Sequence, residues 1–269
     1  MNLTLRIGSA AVLLAIVTGV LWAGSGWLTA LVTVGALVSA WEYSRLMGRA
    51  AVAPPAWLLF PLTAWLAMAF EIPAVPHDAF APITAGVVVG LLLAVALRTS
   101  ILQWAVAVGG ALYLGYLLSY YVALYRWRLA DTGHFGMKLA ALVVLTVVVG
   151  DSVAYFIGSA FGRHRFFESL SPRKSIEGAV AGALGSVGFA AGVGLALVGL
   201  APPAGAGLGL LVAVAAQGGD LVESALKRQA HVKDSSNLIP GHGGLLDRVD
   251  SLVLVGPVVY SYLKLIAFS

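Results

Sequence analysis

Cysteine is absent from all 269 residues, which excludes disulfides and thiolate metal sites and leaves the redox compartment unreadable. Charge is scarce as well: Asp, Glu, Lys and Arg together make up 10% of the chain, against roughly a quarter in an average soluble domain. The net charge of +4 is scattered rather than gathered into a patch, so nothing points to a nucleic-acid partner. Strict apolar–polar alternation is also missing, which argues against a membrane β-barrel. What the chain has in abundance is apolar residues, 60% of the total, in long unbroken runs.

Such runs predict an all-α polytopic membrane protein. A helix crosses about 30 Å of hydrocarbon with about 20 apolar residues while satisfying its own backbone groups. Nine transmembrane helices are expected, over Ile7–Ala23, Trp27–Met47, Ala56–Phe70, Ile83–Leu97, Ile101–Tyr125, Leu139–Phe161, Ala179–Leu200, Leu208–Leu226 and Ser251–Ala267. Pro and Gly punctuate the joints, as in Ala53-Pro54-Pro55 and Ala201-Pro202-Pro203. The first span follows a lone Arg6 and more spans come after it, so it reads as an uncleaved helix rather than a secretory signal. The small residues of Gly178–Gly199 read as a surface for close helix packing. No repeat or linker divides the chain, so residues 1–269 are read as one integral membrane domain, with helices over 1–136 and a catalytic part over 137–269.

With the N-terminus in the cytoplasm, twelve of the 16 cations fall on the cytoplasmic side, and Arg126, Arg128, Lys138 and Lys264 fall outside. The polar loops Gly162–Gly178 and Lys227–Asp250 then face the same solvent.

Chemistry is sought in the stretch Gln217–Asp250, which concentrates carboxylates, cations and histidines in an otherwise apolar chain. Asp220, Glu223, Ser224, Lys227 and Arg228 share one helical stripe. An i to i+4 ion pair accounts for Glu223 and Lys227. It does not account for Asp220, the deepest of the five, which follows Gly218-Gly219 and so lies where another backbone or a ligand can come close. Asp247 and Asp250 stand at the start of the last span, where the helix dipole favours carboxylates. Asp151 lies about 15 Å along the sixth span from the loop, at a depth where an aspartate costs roughly 2.5–3.5 kcal/mol to insert, with Tyr155 on the same face. Carboxylates from two helices, the Gly-rich turn Gly241-His242-Gly243-Gly244 and several cations are the parts of a Mg²⁺–phosphate site. Mg²⁺ takes one or two carboxylates plus phosphate oxygens, and Gly-rich turns offer N–H groups to anions. The loop carrying Arg173 and Lys174 adds cations, in a pattern that also serves as an anchor on anionic lipid.

The run Ser224-Ala225-Leu226-Lys227-Arg228, then Lys233-Asp234, then His242-Gly243-Gly244-Leu245-Leu246-Asp247-Arg248-Val249-Asp250 resembles the signature of phosphatidate cytidylyltransferases, or CDP-diacylglycerol synthases. Asp151-Ser152-Val153-Ala154-Tyr155 and the loop Ser171–Gly178 are also similar to family segments, with Ser175 where Thr is commoner. From Asp151 onward the resemblance is strong; the first half matches only as a series of hydrophobic spans. It implies Mg²⁺-dependent transfer of CMP from CTP to phosphatidic acid, giving CDP-diacylglycerol and pyrophosphate, and it allows a second cation such as K⁺.

On that resemblance Asp220 and Asp247 are expected to hold the metal, with Asp151 and Asp250 in support. Lys227 and Arg248 join Asp220 and Asp247 as catalytic residues, and Arg173, Lys174, Ser224, Arg228, His242, Gly243 and Gly244 are expected to bind substrate. The partners implied are CTP, phosphatidic acid and membrane lipid, and the helix-packing glycines are compatible with a homodimer. The expected location is a bacterial inner (cytoplasmic) membrane with the site facing the cytoplasm. Two other functions compete. A CTP-dependent polyprenol or lipid kinase would need a general base for its alcohol, such as His242 or Asp250. An ion-coupled transporter would need polar residues running to both faces, whereas the outer halves of these spans are almost purely apolar.

Overall fold

In hydrocarbon a chain can satisfy its N–H and C=O groups locally only by coiling, and the apolar runs do so. The computed structural model describes residues 3–71, 80–127, 134–165, 170–171, 174–239, 241 and 243–267. Two expected substrate-binding residues, Arg173 and His242, lie outside these. The helices are α1 (Leu3–Ala23), α2 (Ser25–Arg49), α3 (Ala56–Ala67), α4 (Phe80–Ala96), α5 (Ile101–Ala111), α6 (Leu117–Tyr125), α7 (Phe135–Phe161), α8 (Ile176–Val198), α9 (Pro202–Gln229) and α10 (Leu246–Ala267). A π-helical turn, Leu112–Tyr116, joins α5 to α6, so the two form one rod over Ile101–Tyr125. No strand occurs among the described residues, which hold only isolated bridges.

Each expected span coincides with one rod. Five of them, Ile101–Tyr125, α7, α8, α9 and α10, contain stretches long and apolar enough to cross a membrane, and Val12–Ala23, Ala56–Ala67 and Ile83–Ala96 are shorter apolar helices. Large apolar side chains such as Leu92, Val95 and Ile101 stand exposed on the helices, a surface suited to lipid rather than water. The protein is an all-α polytopic membrane protein. Two helices outrun their apolar stretches, α2 to Arg49 and α9 to Gln229, because Arg, Lys and Gln propagate a helix well.

The chain forms two compact units, Met1–Ala123 with Leu226–Val249, and Leu124–Ala225 with Asp250–Ser269. In the first, Leu46 of α2, Leu59 and Leu66 of α3 and Leu114 of the π turn are fully buried together with Leu246, and Ala230 joins the same cluster. The segment after α9 is thereby packed onto N-terminal helices far from it in sequence. The second unit is built on small residues, as the glycine stripe predicts. Gly158 and Gly182 of α7 and α8 meet Gly178 and Ala154 across the seam, and Gly205 and Gly209 of α9 lie against the backbone of α8. Backbones approach so closely only where no side chain stands between them, which is how helices gain packing energy in lipid. The Tyr262 hydroxyl of α10 donates to the Ala204 carbonyl at 2.9 Å and ties α10 to the start of α9.

Candidate functional site

In the second unit, α9 stays apolar to Ala216 and then turns polar, with Asp220 and Glu223 one turn apart on the same face. From α10 comes Asp250. One oxygen from each of Asp220, Glu223 and Asp250 lies within 4.8 Å of the other two. Glu223 is fully buried and the two aspartates are half-buried. Carboxylates this close repel one another unless positive charge is brought among them. Lys174 brings one such charge, its Nζ standing 2.5 Å from Asp220 Oδ2. Ser224 Oγ donates to Asp220 Oδ1 at 3.3 Å. Asp151 on α7 stands near the Ser251 side chain and lies within electrostatic range of both Asp220 and Lys174. The donor set is all oxygen and carries three potential negative charges, which suits a hard cation such as Mg²⁺ better than a soft metal.

Gly219 sets the approach of α9 to α10. A Cβ built there would stand 2.1 Å from the Asp250 carbonyl oxygen, so any side chain must push the two backbones apart. Gly219→Ala is therefore expected to spread Asp220 and Glu223 away from Asp250, and, if the cluster does chemistry, to lower its rate by about tenfold to a hundredfold, the cost of displacements of about 1 Å. Steady-state kinetics alongside circular dichroism checks this, with helix content expected to be unchanged.

In the first unit, the loop after α9 is organised by two carboxylates. Asp247, in the first turn of α10, forms an ion pair with Lys227 at 2.8 Å. Both side chains are nearly buried, at 8% and 13% exposure, so the pair is shielded from solvent screening. Asp247 Oδ2 also accepts from the Gly244 N–H at 2.8 Å and the Ser235 N–H at 3.0 Å. The turn that delivers Gly244 needs a left-handed residue, supplied by Gly243 at φ 81°. Arg228 reaches from α9 to the Val232 carbonyl at 3.3 Å, and Arg248 is exposed.

The second carboxylate, Glu42 of α2, is fully buried. It accepts from the N–H groups of Leu245 at 3.0 Å and Leu246 at 2.6 Å, two of the otherwise unsatisfied donors at the start of α10. It also accepts from Ser236 Oγ at 2.5 Å. Ser235 Oγ lies 2.9 Å from Asp247 Oδ2 and 3.3 Å from Glu42 Oε2, so its single proton serves one carboxylate at a time. Glu42 thus acts as a helix cap supplied by a different helix, at the end where the dipole favours an acid.

Of the residues expected from sequence, the second unit holds Asp151, Lys174, Asp220, Ser224 and Asp250, and the first holds Lys227, Arg228, Gly243, Gly244, Asp247 and Arg248. Among the described residues, the carboxylates within reach of one ion are Asp220, Glu223 and Asp250, while Asp247 is engaged by Lys227 and the loop. Glu223 in this carboxylate cluster and Glu42 as a cap were not expected. Both carry the same signal, a carboxylate inside an apolar helix, which has to be offset by partners.

The sequence pattern of the cytidylyltransferase family matches residues 4–266. The chain is similar to a phosphatidate cytidylyltransferase of Synechocystis sp., at 32% identity over 98% of this chain and 97% of the relative. It is 39% identical to the phosphatidate cytidylyltransferase of Thermotoga maritima over 58% of this chain and 57% of that one. With the Bacillus subtilis protein of the same name it shares 35% identity over 58% of this chain and 56% of the relative.

Proposed function

The chain belongs to the cytidylyltransferase family, and we infer from this that it is a phosphatidate cytidylyltransferase, joining CMP from CTP to phosphatidic acid and releasing pyrophosphate. The observation that carries the reading is a likeness running end to end in a chain whose carboxylates gather as the chemistry requires. The lipid phosphate is already an oxyanion. One of its oxygens forms a bond to the α-phosphorus of CTP as the bond from that phosphorus to the bridging oxygen of the β-phosphate breaks, and pyrophosphate leaves with the electron pair. No serine or cysteine nucleophile is needed. The protein's work is to align the two phosphates and neutralise the charge gathering on the leaving group.

Asp220, Glu223 and Asp250 are the residues we propose to hold Mg²⁺, which when bound would supply charge neutralisation and a template for the nucleotide phosphates. Asp151, beside Ser251, is the carboxylate proposed for a second cation such as K⁺. Asp247 can serve as a metal ligand only where it is released from Lys227, so the proposed assignment of Asp247 requires that ion pair to open. Lys174, Lys227, Arg228 and Arg248 are proposed to contact substrate phosphates. We place the polar loops on the cytoplasmic side of a bacterial inner membrane, because twelve of the 16 cations then lie inside.

Product analysis separates this reaction from lipid phosphorylation. With CTP, phosphatidic acid and Mg²⁺, pyrophosphate is expected to appear in step with lipid consumed. Release of CDP would assign the chain to kinase chemistry.

A further inference from the structure

The first unit contains a cavity of about 510 Å³ between the end of α2 and the loop that follows α9. Its size falls within the range of small-molecule sites, about 300–1,000 Å³. Arg45 and Arg49 line it from α2, one turn apart, and Lys233 from the loop, with Asp234 the only carboxylate among the described residues of its lining. Among the described residues no carboxylate forms an ion pair with Arg45, Arg49 or Lys233. Three cations facing one concave space raise the local potential for an anion.

Two further features distinguish this cavity from a loose row of surface charges. The guanidinium of Arg45 lies over the Trp41 ring, 4.9 Å from its centroid, which fixes the side chain while leaving its edge donors available to a ligand. The loop part of the lining is fixed too, because Ser236 is bonded to the buried Glu42 and the Leu238 N–H donates to Ser236 Oγ at 3.1 Å. Two guanidinium forks beside a fixed loop fit a terminal phosphate, which accepts bidentate bonds on three terminal oxygens and carries more charge than a phosphodiester.

We propose that this cavity is a terminal-phosphate subsite in which Arg45 and Arg49 grip the terminal phosphate of a substrate. The proposal deepens the cytidylyltransferase reading and rests on it for the choice of ligand. A terminal phosphate belongs both to phosphatidic acid and to CTP, and the two sources are separated by binding measured without turnover.

Full-length protein in detergent is titrated separately with short-chain phosphatidic acid, with CTP and with short-chain phosphatidylglycerol, a phosphodiester. For Arg45→Gln/Arg49→Gln, affinity for phosphatidic acid or for CTP is expected to weaken by at least about tenfold, the loss of one or more charge-assisted bonds. The ligand affected identifies the source, and phosphatidylglycerol binding is expected to stay unchanged. Unchanged affinity for both phosphatidic acid and CTP overturns the proposal. So does an equal loss for phosphatidylglycerol, which would mark a general anchor on anionic lipid. Should the neutral variant fail to fold, Arg45→Lys/Arg49→Lys keeps the charge and removes the forks, and the same selective weakening is expected of it. A wild-type protein that binds through these arginines but never converts the ligands sinks the catalytic reading alone.

Discussion

Asp220→Asn is expected to lower turnover by about a thousandfold or more, the scale on which loss of a charged group at a phosphoryl centre is felt. Asparagine keeps the volume and one acceptor oxygen for Ser224 but removes the charge that faces Lys174 and the oxygen donor shared with Glu223 and Asp250. Folding should survive, because the change also relieves repulsion among the carboxylates. Kinetics across a Mg²⁺ titration check this, with the melting temperature expected to stay near that of the wild type. Lys264→Ala is the control. Lys264 lies near the far end of α10, with Nζ 5.2 Å from the Tyr260 ring centroid, and its loss should be nearly silent. Near wild-type activity for Asp220→Asn would remove Asp220 from the metal assignment.

Glu42→Ala is expected to damage both stability and turnover. The substitution strands the Leu246 N–H in a buried setting and the Leu245 N–H and Ser236 hydroxyl in a partly buried one. Each buried donor left without its acceptor costs about 1–3 kcal/mol. The loop that carries Ser235 and the start of α10 then lose their common anchor, so Asp247 and Lys227 lose part of the frame that orients them. Glu42→Gln keeps one acceptor oxygen and should fall between wild type and Ala. Hydrogen exchange at Leu245 and Leu246 provides a readout independent of activity: the amides should exchange faster in Glu42→Ala. Unchanged protection there would show that Glu42 does not hold the helix start.

The helices were legible because hydropathy is a local property, and each apolar run from Ile7 onward carries its own evidence. Asp220 and Asp250 were legible for a similar reason, standing as they do at the polar ends of apolar runs. Glu223 was harder. Its i to i+4 spacing to Lys227 offered a complete explanation within one helix, whereas the fold pairs Lys227 with Asp247, 20 residues on. Glu42 could not be matched to its partners from sequence at all, since Ser235, Ser236, Leu245 and Leu246 lie 193 to 204 residues away. Arg45 and Arg49 read in sequence only as orientation signals, because a concave lining comes from the fold and not from spacing. The π turn at Leu112–Tyr116 was equally invisible, as it changes the helical winding without changing which residues are apolar.

The most direct measurement follows the two ends of CTP in one reaction. Purified protein is incubated with phosphatidic acid, Mg²⁺ and CTP labelled at either the α- or the γ-phosphate, and the lipid extract is counted. Transfer of CMP predicts α-label in the lipid and γ-label in pyrophosphate, with both signals absent when phosphatidic acid is omitted. Label from the γ-phosphate in the lipid, with CDP in the aqueous phase, would contradict it.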